Sequence, residues 1–199
     1  MIKKLLLLTL WVLVSGCSTL WQSKPQAPAE TLWLERQSQL KQLDNWTLRG
    51  RTAIQQGKEG WNAGVSWHQS PDQFEIRLTG PFSQGAVNLS GDQNAVLLTN
   101  SSGERYVAAT PEQLLEEVLG WQLPISALRD WVKGLPFSEA AVTYRELDRD
   151  GRLVALEQAG WQVSFMRYVP FQGTDVPDKI FIKRDQLSVR LVVSAWQSE

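Results

Sequence analysis

Cys17 is the one cysteine and His68 the one histidine in 199 residues, so little nucleophilic or metal chemistry is on offer. A lone histidine cannot furnish a multi-histidine metal site, and one cysteine cannot close an internal disulfide. His68 directly follows Trp67. In an alternating strand their side chains point to opposite faces, so the histidine is expected outside and the tryptophan inside. No serine sits in a Gly-x-Ser-x-Gly elbow, and neither a phosphate-cradling Gly-x-x-x-x-Gly-Lys-[Ser/Thr] loop nor a Gly-x-Gly-x-x-Gly turn occurs. Glu116-Glu117 and the turn-flanking Glu146 and Asp148 read as solvated charge rather than acid/base pairs. The expectation is a protein that is not an enzyme, with no catalytic residue, no metal and no cofactor.

Cys17 has a different chemistry available. It ends Leu13-Val14-Ser15-Gly16-Cys17, after Lys3, Lys4 and the apolar run Leu5–Val14. That order is a charged n-region, a short h-region and a small-residue cleavage site. Such a run is too short to cross a hydrocarbon core of about 30 Å as a helix. The segment resembles a bacterial lipobox, which implies removal of residues 1–16 and lipidation of Cys17. An ordinary secretory signal with an incidental cysteine is the competing reading. Ser18, where an Asp would favour inner-membrane retention, points to the outer membrane, with the domain facing the periplasm. Residues 1–16 hold two of the 20 basic residues and none of the 21 acidic ones, so the remainder has a formal charge near −3. That balance is no nucleic-acid footprint and no polybasic membrane anchor. Firm attachment then falls to acyl chains, since one chain alone binds only marginally.

The elements that would carry a function follow. Residues 17–29, with Pro25 and Pro28, read as a flexible tether, and residues 30–199 as a single domain. Glu30–Asn45 has helical spacing, with Leu32, Leu34, Leu40 and Leu43 as its apolar positions. The period then changes to two: Trp46, Leu48, Gly50, Thr52 and Ile54; Trp61, Ala63, Val65 and Trp67; Phe74, Ile76 and Leu78. Runs at Ala86–Leu89, Ala95–Leu98 and Arg105–Ala108 come next, then Val142–Leu147, Leu153–Gln158, Trp161–Tyr168, Lys179–Lys183 and Leu187–Trp196. Short runs separated by turn residues indicate an antiparallel meander, and the alternation says that one face is buried. Two short helices interrupt it. Thr110-Pro111-Glu112-Gln113 starts the first and Gly120 ends it; Pro124-Ile125-Ser126 starts the second, with Ser126 as N-cap, and Gly134 stops it. The fold class is mainly β with some α: an unclosed antiparallel barrel of about eleven strands with a three-helix lid.

Periodicity leaves open whether sheet and helices enclose a dry core or an apolar pocket. Phe82 sits in the polar, Gly/Pro-bounded loop Gly80-Pro81-Phe82-Ser83-Gln84-Gly85. It either folds back onto the core or stands out to meet lipid or a partner.

The chain resembles the LolB family of outer-membrane lipoprotein receptors over essentially its whole length. Trp46-Thr47-Leu48-Arg49-Gly50-Arg51, Val65-Ser66-Trp67-His68-Gln69 and Gly80-Pro81-Phe82-Ser83 carry the resemblance. Leu123-Pro124-Ile125-Ser126-Ala127-Leu128-Arg129-Asp130-Trp131, running into Gly134-Leu135-Pro136, is its most specific part. The resemblance implies a half-barrel with a helical lid over an apolar cavity. It also implies that the protein accepts lipoproteins from the periplasmic carrier LolA and inserts them into the outer membrane. In that family a protruding leucine follows the third strand; Phe82 stands at that place here and implies a membrane-insertion role.

Candidate acyl-chain contacts are the inward positions Trp46, Leu48, Ile54, Trp61, Val65, Trp67, Phe74, Ile76 and Leu78, with Leu115, Leu119, Leu128 and Trp131 from the lid. The same face would supply plain core packing. The expected partners are LolA, the acyl chains of cargo lipoproteins and, through the anchor, the outer membrane; no nucleic acid is expected, and the chain is read as a monomer. The alternative function is a structural or assembly lipoprotein that binds a protein partner and carries no lipid.

Overall fold

The computed structural model describes residues 27–80, 85–92 and 94–198. The signal segment, Cys17, most of the tether and Phe82 lie outside the described residues. Helix α1 (Ala29–Lys41) leads into strands β1 (Trp46–Gln56), β2 (Glu59–Gln69), β3 (Phe74–Thr79), β4 (Ala86–Gly91), β5 (Val96–Thr99) and β6 (Arg105–Ala108). Helices α2 (Pro111–Leu119) and α3 (Ile125–Trp131) follow, then β7 (Val142–Leu147), β8 (Leu153–Gln158), β9 (Trp161–Phe171), β10 (Thr174–Arg184) and β11 (Leu187–Gln197).

All strands join one antiparallel sheet in the order β6-β5-β4-β3-β2-β1-β11-β10-β9-β8-β7. Each strand pairs with its sequence neighbour, except that the last strand closes onto the first. The edges β6 and β7 stay unpaired with each other, so the barrel is unclosed. The seam between β1 and β11 depends on Gly50. A Cβ there would stand 2.2 Å from the Val192 carbonyl oxygen and 2.9 Å from Val193 Cα, so no other residue fits. Beside it the register shifts between Arg49 and Gly50, and Val193 and Trp196 both end up facing inward. Ser194, the extra residue, donates its hydroxyl to the Arg49 carbonyl at 3.0 Å.

Two strands reach furthest beyond the sequence reading. β9 and β10 run on to Phe171 and from Thr174, across Pro170 and Pro177. Proline removes a ladder donor, which reads as a break. These prolines are tolerated because β8 pairs with β9 only as far as Ser164 and β11 with β10 only as far as Lys179. The hairpin turns on Gln172 and Gly173, both at positive φ (46° and 79°), which suits the right-handed strand twist.

α1 also departs from its expected face. It ends at Lys41, Leu34 is 59% exposed, and Leu43 is buried beyond the helix end. Trp33 and Leu40 are the buried side chains of the helix. Polar contacts supplement this narrow stripe: Arg36 Nη2 donates to the Asp175 carbonyl at 2.6 Å and its guanidinium lies 5.9 Å from the Tyr168 ring centre. Glu30 pairs with Arg145 on β7.

Candidate functional site

The inward faces of β1–β4 and β10–β11 meet the α2–α3 segment across an apolar cavity. Space for the centre of a water-sized sphere amounts to about 70 Å³. Thr52, Ile54, Val65, Trp67, Ile76, Leu78, Val87 and Leu89 line it from one side of the sheet, and Ile182, Val189 and Leu191 from the other. Leu115, Trp121, Leu123, Ile125, Leu128 and Val132 roof it. Thr52 supplies the only side-chain hydroxyl among these residues. A wall of this kind binds hydrocarbon through dispersion and exclusion of water, without directional bonds.

The roof is shaped by local rules. Thr110 Oγ1 accepts from the Gln113 N–H at 3.3 Å and Pro111 takes the first helical position. Gly120, at φ 69°, closes α2 with its N–H on the Glu116 carbonyl, while the Trp121 N–H reaches the Leu115 carbonyl. This Schellman geometry folds Trp121 back beside Leu115, and both face the cavity. α3 starts at Pro124 rather than at Ser126, which is not the N-cap. Ser126 already lies inside the helix, and its N–H donates to the Glu112 carboxylate at 2.8 Å, which ties α3 to the first turn of α2.

Two buried glutamines brace the site. Gln69 accepts from Trp67 Nε1 at 3.3 Å and donates to the Ser70 and Gln73 carbonyls. Gln158 accepts from Trp131 Nε1 at 3.1 Å and from the Phe137 N–H at 2.9 Å, and donates to the Phe137 and Ala140 carbonyls. The first orients a cavity wall; the second fixes α3 and the segment after it to β8. Neither appears among the sequence candidates, because an isolated strand glutamine reads as exposed.

The sequence matches the family model described as "Outer membrane lipoprotein LolB" over residues 44–196. The outer-membrane lipoprotein LolB of Nitrosococcus oceani is 39% identical over 186 residues, covering 94% of this chain and 92% of that protein. LolB of Pseudomonas savastanoi pv. phaseolicola is 38% identical over 202 residues, with 98% and 96% covered. The chain belongs to the LolB family. It is an outer-membrane lipoprotein and a receptor of the lipoprotein-localisation pathway, and it is not an enzyme. Among solved structures, a LolA superfamily protein from Nitrosomonas europaea superposes with a TM-score of 0.53 at 9% identity, over 86% of this chain and 94% of that one. A DUF1329 family protein from Desulfovibrio piger reaches 0.56 at 6% identity, over 86% and 92%. Both likenesses concern the fold.

Within this LolB-family domain the sequence candidates divide. Ile54, Val65, Trp67, Ile76, Leu78, Leu115 and Leu128 line the cavity. Trp46 and Leu48 do not; they are fully buried, and Trp46 packs at 5.3 Å between Trp67 and Trp196. Trp131, also fully buried, turns to Gln158 and to Trp161, 6.2 Å away. Phe74 and Leu119 are half-buried packing against the core. Trp61 is 37% exposed and stacks at 5.5 Å on Trp121, outside the lining set. These six stand outside the lining for one reason. Alternation identifies the inward face of a strand, but position along the strand decides whether an inward side chain meets a void, a helix or solvent. Trp121, Leu123, Ile125 and Val132, together with Ile182, Val189 and Leu191, line the cavity without being candidates. The buried parities of β10 and β11 could have suggested the last three. α1 contributes no lining side chain. His68 lies on the face opposite Trp67, half-buried, with Nδ1 3.1 Å from Thr47 Oγ1.

Proposed function

We propose that the cavity receives the acyl chains of lipoproteins delivered by the periplasmic carrier LolA, and that the protein then passes them into the outer membrane. The observation that carries this reading is the wall between the sheet and the α2–α3 roof, apolar but for Thr52, in a chain of the LolB family. A sixteen-carbon chain in water costs on the order of 10 kcal/mol, from about 0.8 kcal/mol per CH₂. An apolar slot removes most of that cost for any cargo, and transfer from the carrier then needs only a difference in affinity. Residues 1–16 are removed as a signal, Cys17 bears the anchoring lipid, residues 17–29 form the tether, and residues 30–199 act as one monomeric domain. Phe82 enters the membrane during release.

The test is a soluble form without residues 1–16 and with Cys17→Ala, mixed with lipoprotein-loaded LolA. Cargo should move onto it, and an apolar fluorescent probe should bind. Neither cargo uptake nor probe binding would overturn the reading and leave the partner-binding alternative.

A further inference from the structure

The outward face of the sheet carries a charge pattern that neither the cavity nor the family explains. Strand pairing lays it out in rows. Arg77, Ser66, Arg49 and Ala195 lie side by side on β3, β2, β1 and β11. The next row is Thr79, Gly64, Arg51, Val192 and Lys179, then Asn62, Ala53, Arg190 and Phe181, then Gly60, Gln55, Ser188 and Lys183. Neighbouring strands are about 4.8 Å apart and same-face residues about 7 Å, so each cation stands within roughly 10 Å of the next. No carboxylate occupies these rows from β3 to β10; continued across β9 they reach Glu157 on β8 and Glu146 on β7. Glu75 on β3 borders one side, and Asp178 is already held by Arg167 at 2.7 Å.

Arg49, Arg51, Arg77, Lys183 and Arg190 are exposed and form no ion pair among the described residues. Between Arg51 and Arg190 runs an open groove of about 720 Å³, floored by Ala53 and Gly64 and reaching Thr79 and Gly80. Packing does not demand the glycine there: a Cβ on Gly64 would meet only the Thr79 carbonyl oxygen, at 3.8 Å. Five cations without an ion pair thus cluster on one face of a chain whose net charge is −1.

We propose that this outward face is a second membrane contact: it docks on a bilayer surface carrying anionic phospholipid headgroups, with phosphates seated along the groove between Arg51 and Arg190. Charge complementarity and the location of the protein single out this occupant. An outer-membrane lipoprotein is held beside phospholipid headgroups at high local concentration, and unpaired arginines favour phosphate. Docking turns the opposite, cavity-bearing face of the sheet and its helical roof away from the lipid and leaves them open to the periplasm. The proposal rests on the lipoprotein location and not on what fills the cavity.

The test uses the full lipidated chain in vesicles, with Ser66→Cys carrying a nitroxide in the middle of the patch; Cys17 is acylated, so this is the one free thiol. Vesicles of phosphatidylethanolamine and phosphatidylcholine that contain phosphatidylglycerol are compared with vesicles of phosphatidylethanolamine and phosphatidylcholine alone. The nitroxide should be shielded from a water-soluble relaxant with phosphatidylglycerol present, and freed by 0.5 M salt. Arg49→Gln, Arg51→Gln and Arg190→Gln together should weaken docking on the order of a hundredfold, since each cation near an anionic surface contributes roughly fivefold. The corresponding three lysine substitutions should restore it. Equal shielding in both vesicle types, or in the glutamine variant, would overturn the proposal. Shielding that appears only when the periplasmic carrier is added would overturn it too and give the face to a protein partner.

Discussion

Trp131 Nε1 donates to Gln158 Oε1 at 3.1 Å, and both residues are fully buried. One amide side chain thereby satisfies a helix tryptophan and three backbone groups of Phe137 and Ala140 at once. The segment from α3 to β7 has little regular structure of its own, so this node substitutes for a ladder.

Gln158→Leu keeps the volume and strands those partners. Stability should fall by about 2–4 kcal/mol, because buried groups left unpaired lose their full solvation. Urea unfolding measures it, and a loss under 1 kcal/mol would show that water replaces the amide.

Gly50→Ala should destabilise by about 2–4 kcal/mol, since its Cβ would lie 2.2 Å from the Val192 carbonyl oxygen and would force the β1–β11 seam apart. Gly64→Ala, where the nearest atom is 3.8 Å away, should stay within about 0.5 kcal/mol of wild type. Thermal unfolding of the pair separates close approach from a general aversion to replacing glycine.

Leu128 reaches from α3 into the cavity. Leu128→Trp should block it, cutting affinity for an apolar probe and the rate of cargo uptake by roughly tenfold or more, at about 1–3 kcal/mol of overpacking. Leu128→Met, similar in volume, should bind as wild type does. Unchanged binding by a folded Leu128→Trp protein would place the lipid elsewhere.

Asp148 sets up an acid-sensitive contact. Burial works against its charge, but the N–H groups of Arg152 and Asp150 and the Arg152 guanidinium at 2.8 Å prevail and hold its carboxyl below the ordinary value of 3.8. A depressed carboxyl stabilises the fold above the unfolded value and loses that contribution as pH falls through the folded one. Asp148→Asn should therefore cost about 1 kcal/mol at pH 7. The gap to wild type should narrow only below about pH 4, as chemical unfolding at several pH values would show.

Phe82→Glu is expected to leave folding and cargo acceptance intact while impairing delivery into liposomes. Loss of the fold would instead make Phe82 a core residue. His68→Ala should transfer cargo normally, because the histidine meets Thr47 on the face away from the cavity.

Much of the architecture was legible because the period-two runs are long and their turns carry Gly, Asn or Asp. Most strand positions and both inserted helices follow from that pattern, as do the Thr110 cap and the Gly120 stop. The site was legible in part. Ile54, Val65, Trp67, Ile76 and Leu78 share one strand face, and alternation finds that face. It does not find Trp121, which a Schellman turn swings onto the cavity from a stretch with no period of its own.

The sequence by itself determined the meander, the missing catalytic and nucleotide-binding motifs, and a lipobox-like Cys17, since each is a matter of residue type and local spacing. The tertiary structure decided which inward side chains border a void: that depends on where six strands and two helices fail to meet. It also decided that Arg49, Arg51, Arg77 and Arg190, scattered along three strands, share one face. Register across strands brings them together, and register is not written in any single segment.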